Sequence, residues 1–138
     1  MPEPLTLELP KPTPSDNTLR KMHPGTYATY RDRLCMQIRQ KMARAGVSPT
    51  YLRAKPGRRR KVDMFAAYPM RAQVTFHRYS SGDLDDSNFR QGCKALLDAL
   101  VIEGVIFDDA RKWLDDRYEQ HRAPPRQGRT VVEVSFPS

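Results

Sequence analysis

Residues 81–109 read SGDLDDSNFRQGCKALLDALVIEGVIFDD, an apolar stretch with acidic residues on both sides. Two acidic groups bracket it: Asp83, Asp85 and Asp86 before it, Asp108 and Asp109 after it. Carboxylates that lie close together repel one another unless a positive charge sits between them. Mg²⁺ prefers oxygen ligands and commonly binds one or two carboxylates together with a substrate phosphate. The pattern is therefore typical of a divalent-metal site.

Helix capping explains the same residues in another way. Asp, Ser and Asn before an apolar run are ordinary N-cap residues, and acidic side chains stabilise a helix N-terminus. Capping requires only one or two acids, however, and it does not account for acidic groups at both ends of one helix. Spacing alone leaves metal binding and capping open.

The apolar stretch between the two groups predicts a helix over residues 88–103. Steps of three and four residues form one apolar stripe: Phe89, Cys93, Leu96, Leu97 and Leu100. An adjoining face consists of small residues that let another element approach closely: Gly92, Ala95 and Ala99. Gly104 is placed to end the helix. Lys94 and Asp98 lie one turn apart on its polar flank, as an exposed pair of small energetic value.

Alternation and helical spacing predict the elements on either side. Alternating leucines over residues 5–9 predict a strand, and the Pro- and Ser-rich residues 10–17 predict a loop. Apolar residues from Tyr27 to Met42 predict an amphipathic helix that Thr26 caps and Gly46 ends. Residues 72–79 alternate again, so this strand runs directly into Asp83. The first acidic group then lies between a strand end and a helix start, where a phosphate can bind.

The C-terminal part predicts two more strands. Residues 130–136 (TVVEVSF) are rich in β-branched residues, and residues 116–121 favour a strand over a helix. The Pro- and Gly-containing turn at 123–128 favours a hairpin between these two strands. The fold class is therefore α/β (α+β), with helices packed on one small mixed β-sheet. One domain is expected over residues 1–138, with an irregular basic segment at about 47–69.

Charge indicates the class of partner. The 138 residues contain 24 Lys and Arg and 16 Asp and Glu, so the net charge is +8, and the isoelectric point is about 9.8. Such a basic protein attracts polyanions, nucleic acid first among them. Part of the charge is the run Arg58, Arg59, Arg60 and Lys61, for which a solvated loop is the alternative. Basic groups would hold phosphates while the local acids hold a metal.

Cysteine and histidine usage points to a protein without structural zinc. Cys35 and Cys93 lie in apolar helical patterns and are expected to be buried free thiols, consistent with a reducing cytosol. His23, His77 and His121 are on different predicted elements without ligand spacing, so we expect solvent-facing or structural histidines. The N-terminus lacks a signal-peptide pattern, and no run is long enough to span a membrane. A soluble, cytoplasmic protein of a bacterial or phage-infected cell is expected.

The acidic stretch resembles the RusA family of Holliday-junction resolvases, which includes proteins carried by phages. That family has a D-x-D-N motif, then K-x-x-x-D-A-L on a helix, then Gly, an apolar run and a D-D pair. The corresponding stretches here are residues 85–88 (DDSN), residues 94–100 (KALLDAL), Gly104 and residues 108–109. The order of predicted elements agrees as well. The resemblance covers most of the chain, although only residues 83–109 carry specific motifs.

The resemblance implies a homodimer that binds four-way DNA junctions and cuts symmetrically related strands with Mg²⁺, or with Mn²⁺ in its place. Matched residue by residue, Asp85 and Asp109 are metal-binding, catalytic acids. Lys94 matches a lysine that assists the phosphate chemistry, although its spacing from Asn88 is longer than in the best-known member. Asn88 and Asp98 match the motif residues of the same type.

Ser87 departs from the family pattern. It stands where the second metal-binding Asp is expected, and a hydroxyl ligates Mg²⁺ without adding negative charge. Neighbouring acids are therefore further candidate ligands. The candidate metal ligands are thus Asp83, Asp85, Asp86, Ser87, Asp108 and Asp109.

The expected activity is Mg²⁺-dependent phosphodiester hydrolysis in branched DNA, as part of DNA recombination and repair. Flanking phosphates would be held by Arg58, Arg59, Arg60, Lys61, Arg78 and Arg90. A DNA-binding protein that has lost catalysis is the main alternative, and Ser87 favours it. A structural dimer whose acids only cap helices is a third possibility.

Overall fold

A computed structural model describes residues 3–51 and 69–137 of the chain. Most of the basic segment predicted at 47–69, including the basic run Arg58–Lys61, lies outside these residues. The elements in chain order are β1 (Leu5–Leu9), α1 (Asp16–Arg20), α2 (Pro24–Ala45), β2 (Ala72–Ser80), α3 (Asp86–Gly92), α4 (Lys94–Ile102), β3 (Leu114–Arg122) and β4 (Arg129–Ser135). The predicted mixed α/β class, with helices on a small sheet, is confirmed.

The sheet has the strand order β1-β4-β2-β3. Strand β4 lies antiparallel to both β1 and β2, whereas β3 is parallel to β2. The predicted hairpin between β3 and β4 is therefore wrong, although both strands are present. After β3, residues 123–128 cross the end of β2 and return the chain on its other side. The parallel pair follows because two helices connect β2 to β3, as crossover connections do.

One face of the sheet packs against the helices. Alternate strand residues enter this core, among them Val74 and Phe76 from β2 and Val132 from β4, each without measurable solvent exposure. Ile38 of α2 and Leu100 of α4 meet them from the helical layer and are equally buried. The other face carries polar side chains at the intervening positions, as period-two alternation requires.

The single helix predicted at 88–103 is two helices, α3 and α4, separated at Cys93. The break accompanies a close approach at Gly92, where a Cβ would overlap the backbone carbonyl of Pro14. The small-residue face was thus predicted correctly. Gly104 ends α4 with a φ of 75°, also as predicted.

Two local predictions differ in detail, and one holds. His23, rather than Thr26, caps α2, because its Nδ1 accepts from the backbone N–H of Gly25 at 3.2 Å. Gly46 ends α2 in the left-handed conformation, as expected. The predicted loop at 10–17 gives way to α1 at Asp16, where Ser15 accepts from the backbone N–H of Thr18.

The two cysteines are buried free thiols, as predicted. Burial raises the pKa of Cys35 to about 11 and that of Cys93 to about 12. Within residues 3–51 and 69–137, no helix has both the length and the apolar character needed to cross a bilayer.

Candidate acidic site and a second cluster on the open sheet face

The two predicted acidic groups lie at opposite ends of the parallel strands β2 and β3. Asp83 follows the C-terminal end of β2 and lies 3.3 Å from Arg122 at the end of β3. Asp109 precedes the start of β3, where the Ala72 N–H donates to the Trp113 carbonyl. These strand ends are about 26 Å apart at a rise of about 3.3 Å per residue. Helices α3 and α4 span the distance between them.

The first acidic group is engaged mainly in local structure. Asp85 caps α3, and its two carboxylate oxygens accept from Asn88, from the backbone N–H at 2.8 Å and from Nδ2 at 2.9 Å. Asp83 pairs with Arg122 at the surface. Asp86 and Ser87 are exposed in the first turn of α3 and have no side-chain hydrogen bond or ion pair with any residue of the described chain. Capping therefore accounts for Asp85, the residue that the motif match assigns to the metal.

The second acidic group is a cluster of carboxylates. Asp108 is next to Asp109 in sequence, and both Asp108 and Asp98 lie close enough to raise the pKa of Asp109. Partial burial of its carboxyl raises the pKa of Asp109 most, and Asp108 and Asp98 raise it further, although the residue remains exposed at the surface. We call Asp98, Asp108 and Asp109 the carboxylate cluster. Its oxygen atoms are of the ligand type that hard divalent cations prefer, although its three carboxylates do not form a close three-ligand group among the described residues.

Helix α2 holds one member of the cluster in place. The Tyr27 hydroxyl donates to Oδ2 of Asp98 at 2.9 Å. Lys94 begins α4 one turn before Asp98, is exposed, and forms no ion pair within the described residues. The motif predicted Asp98, Asp109 and Lys94 but gave no sign of Tyr27, which is 71 residues from Asp98.

The predicted phosphate-binding arginines have partners inside the protein. Arg78 donates to the carbonyls of Thr13 at 2.9 Å and Gly82 at 2.8 Å, and burial lowers the pKa of its guanidinium. Arg90 lies 3.1 Å from Asp116 and over the ring of Tyr118. The basic run Arg58–Lys61 lies outside the described residues.

A basic groove lies at another position, between α2, β1 and the start of β4. It is lined by Lys41 and Arg44 of α2, by Glu8, and by Arg129. Arg129 is paired with Glu8 at 3.1 Å, whereas Lys41 and Arg44 have no ion-pair partner among the described residues. These two cations extend the basic surface beyond the residues that the sequence singled out.

A different cluster lies on the polar face of the sheet. The parallel register places His77 opposite Glu119 and Tyr79 opposite His121. Ligand atoms of His77, Glu119 and His121 all lie within 4.8 Å of one another. Among the described residues, none of the predicted metal-binding aspartates belongs to such a group of three. The histidines have no ligand spacing in the sequence, yet the fold brings His77 and His121 to within 2.9 Å of each other.

Part of this cluster can be predicted from the sequence, namely which residues share a face of their strand. Glu119 and His121 are two residues apart in a strand, so they share a face. His77 has the same phase on β2. The missing information was the parallel pairing of β2 with β3, which the predicted hairpin obscured.

Aromatic residues at the edge of the core pack against one another. Tyr118 stacks on Phe76 with ring centroids 5.3 Å apart and meets the edge of Phe89 at 5.4 Å. Trp113 contacts Phe107 at 5.0 Å. Both rings thus contribute to packing.

No protein-family model matches this chain, and no curated protein matches it either. The functional interpretation therefore depends on the motifs in residues 83–109 and on the geometry described above.

Proposed function

We propose that the protein is a Mg²⁺-dependent, structure-selective endodeoxyribonuclease that acts on branched DNA. The observation that carries the proposal is the carboxylate cluster, in which the pKa of Asp109 is raised by partial burial and by Asp108 and Asp98. Such crowding is unfavourable at neutral pH unless a cation neutralises it. Lys94 stands beside the cluster without a partner among the described residues. The net charge of +8 suits a DNA substrate.

Asp109 and Asp108 would hold the ion together with a substrate phosphate. The first acidic group lies at the other end of β2, where Asp85 accepts hydrogen bonds from Asn88, so it takes no part in this site. A bound Mg²⁺ polarises the phosphoryl oxygen and lowers the pKa of a coordinated water. Lys94 places positive charge where the phosphate becomes more negative during hydrolysis. The hydrogen bond from the Tyr27 hydroxyl fixes the orientation of the Asp98 carboxylate within the cluster.

The basic surface supplies DNA affinity in this proposal. Lys41 and Arg44 in the groove, together with the basic run Arg58–Lys61, neutralise backbone phosphates, and each neutralised phosphate steepens the salt dependence of binding. A junction is recognised by its shape, so few base contacts are needed. We propose a homodimer, because paired cuts in a symmetrical junction require two sites.

A second candidate is a DNA-binding protein without nuclease activity. The capping of α3 by Asp85 and the pairing of Asp83 with Arg122 favour it, because both acids are used without a metal. Ser87 favours it for the same reason. The carboxylate cluster has no role in this alternative.

The two candidates differ in the effect of Asp109→Asn on a four-way DNA junction. The nuclease proposal predicts that the variant binds the junction as tightly as wild type and no longer cuts it with Mg²⁺. Asp32→Asn is the matched control, since Asp32 is an exposed acid on α2 with its side chain 63% accessible. Cutting by Asp109→Asn at the wild-type rate would remove the metal assignment. Wild-type binding without cutting would favour the second candidate.

A further inference from the structure

We propose that His77, Glu119 and His121 bind a transition-metal ion of the zinc class on the open face of the sheet. This site lies on the opposite face from α3 and α4 and is independent of the nuclease proposal. The face carries polar side chains from β2, β3 and β4, and none of helices α1 to α4 packs on it. The inference depends on the positions of three side chains and of a carboxylate behind them.

Two of the three donor–donor distances are already close to those of a coordination shell, and all three ligand atoms lie within 4.8 Å of one another. Nδ1 of His77 lies 2.9 Å from Nε2 of His121 and 3.1 Å from Oε2 of Glu119. In a tetrahedral zinc site with bonds of about 2.0–2.1 Å, neighbouring ligand atoms are about 3.3 Å apart. If these donor–donor distances increase by a few tenths of an ångström, the ion fits between the ligand atoms. Two imidazoles and one carboxylate are also a ligand set of zinc sites that keep a fourth position open.

A second carboxylate stands behind His77. Oε1 of Glu133, on β4, lies 3.1 Å from Nε2 of His77, at ion-pair distance though without the alignment of a hydrogen bond. Metal-binding histidines usually direct their other ring nitrogen at a carboxylate, which sets the tautomer and the ring orientation. His77 is thus placed between its ligand partners on β3 and an orienting group on β4.

The rings are fixed by stacking before any ion arrives. His121 stacks on His77 and on Tyr79, with centroids 5.1 and 4.5 Å apart, and Arg129 covers Tyr79 at 3.9 Å. The His77 side chain is only 12% exposed, whereas that of Glu119 is 57% exposed. Ordered rings and an exposed carboxylate leave the open coordination position facing solvent.

Charge favours a divalent ion. The carboxylates of Glu119 and Glu133 place two negative charges beside His77, in a chain whose net charge is +8. Nitrogen ligands favour zinc, copper, nickel or iron over Mg²⁺. The competing explanation is a protonated His77 that is held by the two glutamates and needs no metal.

The test is a calorimetric titration of the chelator-treated, full-length protein with Zn²⁺, followed by thermal unfolding with and without the ion. We expect one Zn²⁺ per chain, a rise in Tm, and a Co²⁺ derivative with the intense visible absorption of tetrahedral coordination. His121→Ala and Glu119→Gln should abolish all three effects. Glu133→Gln should weaken affinity by about 10- to 100-fold.

Three controls keep the result specific. His23→Ala loses a helix cap but should keep the zinc response, and Glu8→Gln removes a carboxylate from the same face without effect on it. Asp109→Asn should also bind Zn²⁺ normally, so that failure of the nuclease proposal is distinguishable from failure of this one. A wild-type protein with no bound Zn²⁺, or a His121→Ala variant that binds it like wild type, would overturn the proposal and leave the ion-pair network as the explanation.

Discussion

The Tyr27 hydroxyl donates a 2.9 Å hydrogen bond to Oδ2 of Asp98, which ties the start of α2 to the middle of α4. Asp98 in turn contributes to the field around Asp109. A residue in the first turn of α2 therefore contacts a member of the carboxylate cluster within the last helix, α4. Burial and Asp98 also raise the pKa of Tyr27, so its hydroxyl stays protonated as a donor.

Replacing Tyr27 with Phe should lower the free energy of unfolding by about 1 kcal/mol, because a carboxylate loses its hydrogen-bond donor. Urea denaturation measures the change. Tyr79→Phe is the control, since the Tyr79 hydroxyl makes no hydrogen bond within the described residues, and it should leave stability nearly unchanged. Equal losses in the two variants would contradict a specific role for the Tyr27–Asp98 bond.

Gly92→Ala should destabilise the fold by about 1–3 kcal/mol, as overpacking against rigid backbone does. The added Cβ would overlap the Pro14 carbonyl, which cannot move without displacing α1. Gly82→Ala is the matched control, because nothing lies within 4 Å of its added Cβ. Its change should stay within about 0.5 kcal/mol. Thermal unfolding of the pair gives the comparison directly, and a neutral Gly92→Ala would mean that the approach of Pro14 is wrong.

The raised pKa of Asp109 predicts how the effect of Asp109→Asn on protein stability depends on pH. A carboxyl whose folded-state pKa is raised contributes stability below its unfolded value, 3.8 for Asp, and that contribution is lost as pH rises through the folded pKa. Asp109→Asn should therefore stabilise the metal-free protein at neutral pH and have little effect in acid. Denaturation at several pH values without divalent ions tests this. Asp32→Asn should show no such dependence, and a stabilisation of Asp109→Asn that grows in acid would reverse the sign and refute the account.

Arg78 should behave as a structural residue and not as a DNA contact. Arg78→Gln loses charged hydrogen bonds to two carbonyls, so we expect a loss of at least about 2 kcal/mol of stability. The slope of log K against log salt for DNA binding should stay unchanged at a temperature where the variant is folded. Arg44→Gln is the comparison and should reduce that slope by about 0.9, the value for one phosphate. A reduced slope in Arg78→Gln would show instead that Arg78 contacts a DNA phosphate.

Local patterns predicted the elements well where the pattern and the packing agree. The alternation of apolar residues predicted β1 and β2. Apolar residues at steps of three and four predicted α2, with its end at Gly46. The break at Cys93 was not predicted, and it lies beside a contact that no local pattern shows, the approach of the distant Pro14 carbonyl to Gly92. Local apolar spacing carries no information about that contact.

The site was harder to predict than the fold, since its geometry depends on pairing between distant segments. The motif identified Asp98 and Asp109 as relevant, but capping by Asp85 and the contribution of Tyr27 become visible only in the folded chain. His77, Glu119 and His121 meet because β2 and β3 are parallel, and the turn at 123–128 had suggested a different neighbour for β3. The sequence showed which residue types were available for a site. It did not show the strand order that brings them together.

Nuclease activity can be measured by incubating the wild-type protein with an end-labelled four-way DNA junction, in Mg²⁺ and in EDTA, and resolving the strands on a denaturing gel. We expect paired cuts at symmetrical positions with Mg²⁺, intact strands with EDTA, and no cutting of the matched linear duplex. A junction that stays intact with Mg²⁺ while a mobility shift shows it fully bound would contradict nuclease activity.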